Sequence, residues 1–405
     1  MDLQTIIAIL VFVVTYTVIA IGKLPGYRID RAGIALLGAS LLVAFNVLSP
    51  EDVYKAINFD TITLLLGMMI VVANMRVSGF FRVVNAAILK RFRRPITLLF
   101  AVVVASGVLS AFLVNDTICL VMTPLVLDLV LKMRRNPMPY LLAIAMASNI
   151  GSVATITGNP QNMIIGSLSG ISYSAFAWQL APIGLIGLLV VFVLLALLYR
   201  DEFLTLETLP QYLPNVRSHK PLIIKTSLVT LAMVVLFFTG QPVAKVAIIG
   251  GSFLLLTRRV NPSRIYKEID WPLLVMFIGL FVVVAGLEKT VIGPDVINRV
   301  MALNLASIPV LSTVTAVLGN LISNVPAVLV MRPFIEALSE PDKAWLVVAM
   351  ASTLAGNFTL VGSVANLIVA QKAQSYGVTL SFWTYFKVGA PLTILTILIG
   401  IFWLM

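Results

Sequence analysis

This chain of 405 residues has one cysteine and one histidine. The lone thiol, Cys119, excludes an internal disulfide and any thiolate cluster for a metal. The lone imidazole, His219, lies in a polar connection and reads as a solvated loop residue. Charged side chains are scarce as well, at 11% of the sequence, where a soluble domain carries about 25%. No Walker A motif occurs, so any ATP hydrolysis belongs to another protein. Nothing in the sequence leads one to expect a cofactor, a metal site or an enzyme. Ahead of the first apolar run there is neither a basic segment nor a small-residue cleavage pattern, which argues for a retained helix rather than a signal peptide.

What fills the chain is apolar side chain: 60% of residues are hydrophobic and the mean hydropathy is +1.04. Runs at 6–21, 181–198 and 388–405, with their flanks, suffice to cross a hydrocarbon layer, which takes about 20 residues. The expected class is therefore an all-α polytopic membrane protein. A formal net charge of +11 does not point to nucleic acid, because the charges fall in short loops between spans.

The chain is also written twice. Pro50, Tyr54, Lys55, Ile57 and Gly67 recur at an offset of 212 as Pro262, Tyr266, Lys267, Ile269 and Gly279. Asn115, Leu120, Val121, Met122 and Pro124 recur at an offset of 209 as Asn324, Leu329, Val330, Met331 and Pro333. Ala145, Met146, Ala147, Ser148, Thr155, Gly158 and Asn162 recur at 204 as Ala349, Met350, Ala351, Ser352, Thr359, Gly362 and Asn366. Polar, Pro and Gly identities kept in order mark a duplicated unit, as in secondary transporters.

Each unit reads as three spans, an interfacial stretch, a polar-tipped hairpin, an interrupted span and a closing span. The first repeat, 1–199, has spans at 4–22, 32–48 and 60–76 and an amphipathic stretch 78–93. A hairpin follows at 95–134, with arms shorter than a full crossing requires, then a broken span 138–168 and a span 175–199. A linker, 200–220, expected on the cytoplasmic side, leads to the second repeat, 221–405. That repeat has spans 221–239, 243–257 and 271–287, an amphipathic stretch 290–304, a hairpin 306–338, a broken span 343–372 and a span 382–403. Five crossings per unit, about ten in all, is odd per unit, so the second unit must enter the membrane inverted. With both termini outside the cytoplasm, 22 of the 28 Lys and Arg face inward and 6 outward, as positive-inside insertion requires. The expected location is the cell (inner) membrane.

Polar residues gather at four apolar-flanked points, where each must find a partner other than water. The first hairpin tip holds Asn115, Asp116 and Thr117; the second holds Ser323 and Asn324. The first broken span holds Ser148, Asn149, Gly158, Asn159 and Asn162. Its counterpart holds Asn357, Thr359, Ser363 and Asn366. Gly and Pro there free backbone groups that lipid cannot satisfy, which is tolerated only in a protein-lined or watery cavity. Asp116 has neutral Val325 at the equivalent place, which suggests a proton carrier or cation partner used once per molecule; capping the following helix is the plainer role. Cys119, one turn beyond Asp116, is a possible soft contact and more simply a small core residue. Asp128 and Lys132 are spaced as an i,i+4 ion pair.

The segments FLVNDTICLVMTPLV, SNIGSVATITGNPQNMIIG, LISNVPAVLVMRPF and LVGSVANLIVAQK resemble the ion transporter superfamily, nearest its ArsB-type arsenite efflux pumps. The resemblance implies an elevator-type transporter in which scaffold spans 4–76 and 221–287 carry moving hairpins and broken helices. It implies that the thirteen polar residues of the four clusters bind substrate around Asp116. The resulting expectation is export of arsenite, and of antimonite, in exchange for protons. Sodium/proton antiport, dicarboxylate or anion transport, and service as the membrane subunit of a pump with a cytoplasmic arsenical ATPase are the rivals. The tips read Val-Asn-Asp and Ser-Asn-Val rather than Ser-Asn-Thr, and no Arg or Lys is evident near the site, both of which weigh against a dicarboxylate.

Overall fold

An apolar run in lipid satisfies its backbone only as a helix or a closed barrel, and these sequences, rich in Leu and Ala, become helices. The computed structural model describes residues 2–21, 26–92, 94–203 and 219–405, and every regular element among them is helical. The first half contains α1 (Leu3–Ile21), α2 (Arg31–Ala44), α3 (Pro50–Ala56), α4 (Phe59–Ser78), α5 (Phe80–Arg91), α6 (Pro95–Leu113), α7 (Asn115–Lys132), α8 (Met138–Ser152), a 3-10 turn (Ile156–Gly158), α9 (Pro160–Ser169), α10 (Tyr173–Leu198) and α11 (Arg200–Phe203). The second contains α12 (Lys220–Phe238), α13 (Val243–Leu255), α14 (Pro262–Tyr266), α15 (Trp271–Thr290), α16 (Pro294–Met301), α17 (Ile308–Ile322), α18 (Asn324–Glu336), α19 (Pro341–Ala355), α20 (Val364–Ser375) and α21 (Phe382–Leu404). Most of the expected linker, from 204 to 218, lies outside the described residues.

Seven of these helices, α1, α4, α6, α10, α12, α15 and α21, are long and apolar enough to cross a membrane, while α2, α13 and α17 are apolar but shorter. The 14 residues of α2 rise only about 21 Å at 1.5 Å each, because Asp30 caps the start and the helix ends at Ala44. Leu10, Leu189, Leu228 and Ile394 face outward and exposed. In α8 and α19, by contrast, Ala143–Ala147 and Val347–Ala351 are all buried. Apolar outside and packed small residues inside is the distribution a bilayer demands.

The duplicated sequence produces a reciprocal packing. Helix α4 lies on α13 and α15 lies on α2, so each half lends a helix to the other. Gly67 in α4 sits on the backbone of Ala247, and Gly279 in α15 sits on the backbone of Ala35. The two glycines are equivalent by the 212 offset, and so are the two alanines. A Cβ at either glycine would overlap its neighbour's main chain, so this approach requires glycine.

Charged groups pair at the periphery. Lys132 donates to Asp128 at 3.2 Å, Arg76 pairs with Glu268, and Arg135 with Glu202 at 2.9 Å. Lys289 donates to Asp52 at 2.8 Å and, with Ser49, pulls that exposed carboxyl down to about 2. Helix α5 buries Phe81 and Asn85 against α7 while Arg82 stays exposed, an amphipathic arrangement. His219 is exposed at the start of α12.

Candidate solute-binding site

Two residues interrupt what would otherwise be long helices. Val114, between α6 and α7, has φ +64°, and Ser323, between α17 and α18, has φ +77°. The 209 offset makes them equivalent. A β-branched residue at positive φ is an outlier held in place by its surroundings, at a cost of roughly 1–3 kcal/mol. The helix resumes at once, so Asn115 and Asn324 are each the first residue of a helix. The arms of the first hairpin, 19 and 18 residues, are longer than the sequence led one to expect. Asp116 sits in the first turn of α7, where the helix dipole favours a carboxylate.

The broken spans are closed by asparagine. Asn162 donates both amide hydrogens to main-chain carbonyls, Ser152 O at 3.1 Å and Thr155 O at 3.0 Å. Asn366 does the same in the second half, to Gly356 O at 2.7 Å and Thr359 O at 3.1 Å. The Asn159 carboxamide oxygen caps α9 through the Asn162 N–H at 2.8 Å, and Ser363 caps α20 through Ala365. Gly158 lies against the Ser152 main chain and Gly362 against the Gly356 carbonyl, again an equivalent pair. The freed backbone at each break is thus satisfied by its own segment.

The two breaks also bond to each other. Asn149 donates to Asn366 Oδ1 at 3.0 Å and to Asn357 Oδ1 at 2.9 Å. Thr353, which occupies the place equivalent to Asn149, donates to Asn162 Oδ1 at 3.3 Å. Asn159 donates to Thr353 at 3.1 Å, and the equivalent Ser363 donates to Asn149 at 3.2 Å. The first hairpin tip joins through Asn115, whose amide donates to Asn149 Oδ1 at 2.9 Å. Asn357 is anchored by its own donation to Met146 O at 3.3 Å and by Tyr385 OH at 3.4 Å.

In front of this network is a small cavity, about 50 Å³, lined by both tips (Asn115, Asp116, Ser323, Asn324), both breaks (Gln161, Ser363) and Ile19, Arg31 and Phe277 of the flanking helices. About 10–15 Å³ of such space holds one water, so the cavity takes a few waters or a small solute. A second cavity, about 110 Å³, shares Asp116 and adds Thr117, Arg76, Glu268 and Asp270. A third, about 460 Å³, shares Arg76 and Leu120 with the second and adds Arg82 and Lys372. The three cavities adjoin, the first two sharing Asp116 and Leu273 and the last two Arg76 and Leu120.

The structure therefore brings Asn115, Asp116, Ser323, Asn324 and Ser363 to the cavity and Thr117 to its neighbour. Asn149, Asn159, Asn162, Asn357 and Asn366 stand behind it in the network, and Thr359 bonds to Asn320 at 3.4 Å. Ser148 and Cys119 share a hydrogen bond at 2.9 Å, both fully buried. Neither lines any of these three cavities. One expectation is corrected: Arg31 does line the cavity. Nothing in its loop sequence signals this, since it arrives by the folding of α2 against α15. Thr353 was discoverable, because the 204 offset places it opposite Asn149.

Comparison with known proteins follows the same lines. Residues 16–355 match the family model described as citrate transporter. The chain is 32% identical to a 46 kDa membrane protein of Mycobacterium leprae (strain TN), covering 99% of each. It is 28% identical to the putative transporter arsB of Dictyostelium discoideum, over 97% of this chain and 90% of that one. It is 29% identical to the silicon efflux transporter LSI3 of Oryza sativa subsp. japonica, over 94% and 93%. The crystal structure of the Alcanivorax borkumensis YdaH transporter shares the fold, with a TM-score of 0.65, 14% identity and coverage of 100% and 97%. With most of its length matched by the family model, this multi-pass membrane protein belongs to the citrate transporter family of the ion transporter superfamily.

Proposed function

We propose that this protein is a secondary transporter that exports a small, uncharged, hydroxylated inorganic acid, with arsenite the foremost substrate and antimonite beside it, in exchange for protons carried by Asp116. The observation that carries this reading is the amide- and hydroxyl-lined cavity where two asparagine-bearing tips meet one carboxylate. Arsenous acid is a neutral triol near neutral pH, and neutral donors and acceptors suit three hydroxyls. The names of two relatives, a putative arsB transporter and a silicon efflux transporter, support a substrate of that chemistry.

The two halves form an inverted repeat. Helices α1, α2 and α4 with α12, α13 and α15 serve as the scaffold, and the hairpins with the broken helices move across the membrane as an elevator. The reciprocal Gly67–Ala247 and Gly279–Ala35 contacts support that symmetry. The positive-inside bias supports both termini lying outside the cytoplasm, with the cavity beside Arg76, Arg82 and Lys372 then on the inward side. A cytoplasmic ATPase is not required by this scheme and is an optional partner.

A second reading, export or uptake of a citrate-like anion, is favoured by Arg31 in the cavity and by the family description. Purified protein in liposomes separates the two. An imposed pH gradient drives arsenite accumulation under the first reading, and a sodium or proton gradient drives citrate accumulation under the second. Citrate transport without arsenite transport would overturn the first.

A further inference from the structure

Hydrogen-bond geometry fixes which end of each buried carboxamide faces the cavity. Carbonyl oxygens only accept, so Asn366 must turn its Nδ2 towards Gly356 O and Thr359 O. Its Oδ1 then faces the other way and accepts from Asn149. Asn357, anchored independently on Met146 O, presents its Oδ1 to Asn149 as well. With both hydrogens of its amide engaged, Asn149 turns Oδ1 forward, and that oxygen accepts from Asn115 Nδ2 and from the Ser363 hydroxyl. The chain of constraints ends at the tip. Asn115, only 4% exposed, is left with a buried Oδ1 that has no partner, on a residue that borders the cavity. Asn324, 8% exposed, borders the same cavity and also has an unpartnered Oδ1, which lies beside Gly319. A buried acceptor without a donor is unfavourable and marks a place where a ligand's donor belongs.

We infer that Asn149 is a positioning residue that locks Asn115 with its oxygen towards the cavity, so that the site takes a protonated, hydrogen-bond-donating oxyacid and rejects an oxyanion that lacks the donor. This deepens the proposed function and rests on its reading of the cavity as the solute site. A deprotonated solute would set oxygen against oxygen at Asn115 and would face Asp116. The other charged groups are Arg31 in the cavity and Asp270, Glu268 and Arg76 in the adjoining one. Because other charged groups surround the site, the discrimination is measured between two solutes at one pH. The polarity is built from one side only: Thr353 replaces Asn149 in the other half, and among the described residues no such relay reaches Asn324.

The test is equilibrium binding to the purified full chain near neutral pH, comparing arsenous acid with sulfate, an oxyanion that carries no hydroxyl at that pH, with sodium chloride and citrate as separate arms. Arsenous acid is expected to bind at least roughly 100-fold more tightly than sulfate, since a site built around a substrate hydroxyl strongly rejects a solute without one. Asn149→Leu frees the Asn115 amide to rotate and is expected to reduce that ratio about tenfold or more. Asn149→Thr, which retains an oxygen for Asn115, is expected to restore most of it. Equal binding of arsenous acid and sulfate by the wild type would overturn the inference and leave the proposed function standing. So would a ratio unchanged in a folded Asn149→Leu protein. Stabilisation by sodium alone would make the two free oxygens cation ligands and overturn it too. Citrate binding without arsenous acid binding would instead remove the proposed function. The wild-type comparison decides the matter even if Asn149→Leu does not fold.

Discussion

Asn162 and Asn366 hold equivalent places in the two halves, and each donates both of its amide hydrogens to the carbonyls freed where its own helix breaks. Their oxygens face across the molecule instead, Asn162 accepting from Thr353 and Asn366 from Asn149. One side chain thus closes a break and ties it to the opposite half. Leucine at 366 takes the side-chain donor from Gly356 O, at about 1–3 kcal/mol, while Thr359 O keeps the Gly362 N–H; leucine at 162 leaves Ser152 O with the Asn159 amide and Thr155 O with the Gly158 N–H. Asn162→Leu and Asn366→Leu are both expected to lower the thermal unfolding midpoint in detergent, Asn366→Leu by more, since only Gly356 O loses its one side-chain donor. An unchanged midpoint would mean that water already satisfies the breaks.

Asp116→Asn keeps the shape of the tip and removes the ionisable group. The variant is expected to fold, to retain solute binding and to lose exchange driven by a pH gradient in liposomes. Normal pH-driven exchange would reduce Asp116 to a favourable charge at the start of α7.

Cys119 shares a hydrogen bond with Ser148 Oγ at 2.9 Å and is fully buried. Maleimide is therefore expected to leave the folded protein unlabelled and to react once it is denatured. Cys119→Ala, a small loss of volume in the core, is expected to keep most arsenite export in a cell-based resistance assay. Loss of arsenite binding in that variant would make the thiol a ligand.

The glycines of the scaffold offer a symmetrical test. Gly67→Ala and Gly279→Ala each push a methyl into the main chain of the crossing helix and are expected to cost about 1–3 kcal/mol as overpacking. Equal losses fit the exchange of helices between halves; a loss at only one would break the equivalence.

The positions of the breaks were legible in the sequence because the signals are local. Asn-Asp-Thr between apolar arms and Gly-Asn-Pro after a polar run both mark points where a helix cannot continue unaided. The offsets of 212, 209 and 204 also identified which residues answer one another, which is how Thr353 pairs with Asn149. What the sequence concealed was direction. No local pattern says that Asn149 would turn its amide away from the cavity, since that follows from how Asn366 is anchored in the other half of the chain. Helix lengths were misread for a different reason: hydropathy runs on through Phe45–Leu48, whereas the backbone ends α2 at Ala44. The strain at Val114 was likewise invisible, because valine is a poor indicator of positive φ.

Arg31 is the residue that most sharply separates the two substrate classes, because it adds a fixed positive charge to a cavity whose other polar lining is amides, hydroxyls and one carboxylate. A citrate-like anion would need that charge, and removing one partner of a desolvated charge pair costs roughly 2–5 kcal/mol. Arg31→Gln keeps hydrogen-bonding capacity while deleting the charge. For an anion the variant is expected to weaken binding by about 30-fold or more, at about 1.4 kcal/mol per factor of ten. For arsenous acid, which offers no charge to the guanidinium, the expected change is within about threefold, or roughly 1 kcal/mol at most on the same scale. Binding of both solutes to wild-type and Arg31→Gln protein, measured side by side by calorimetry, makes the comparison. A large loss of arsenous acid affinity would show that Arg31 holds the solute directly, and the neutral-pocket account would then give way to one in which the guanidinium is the principal donor.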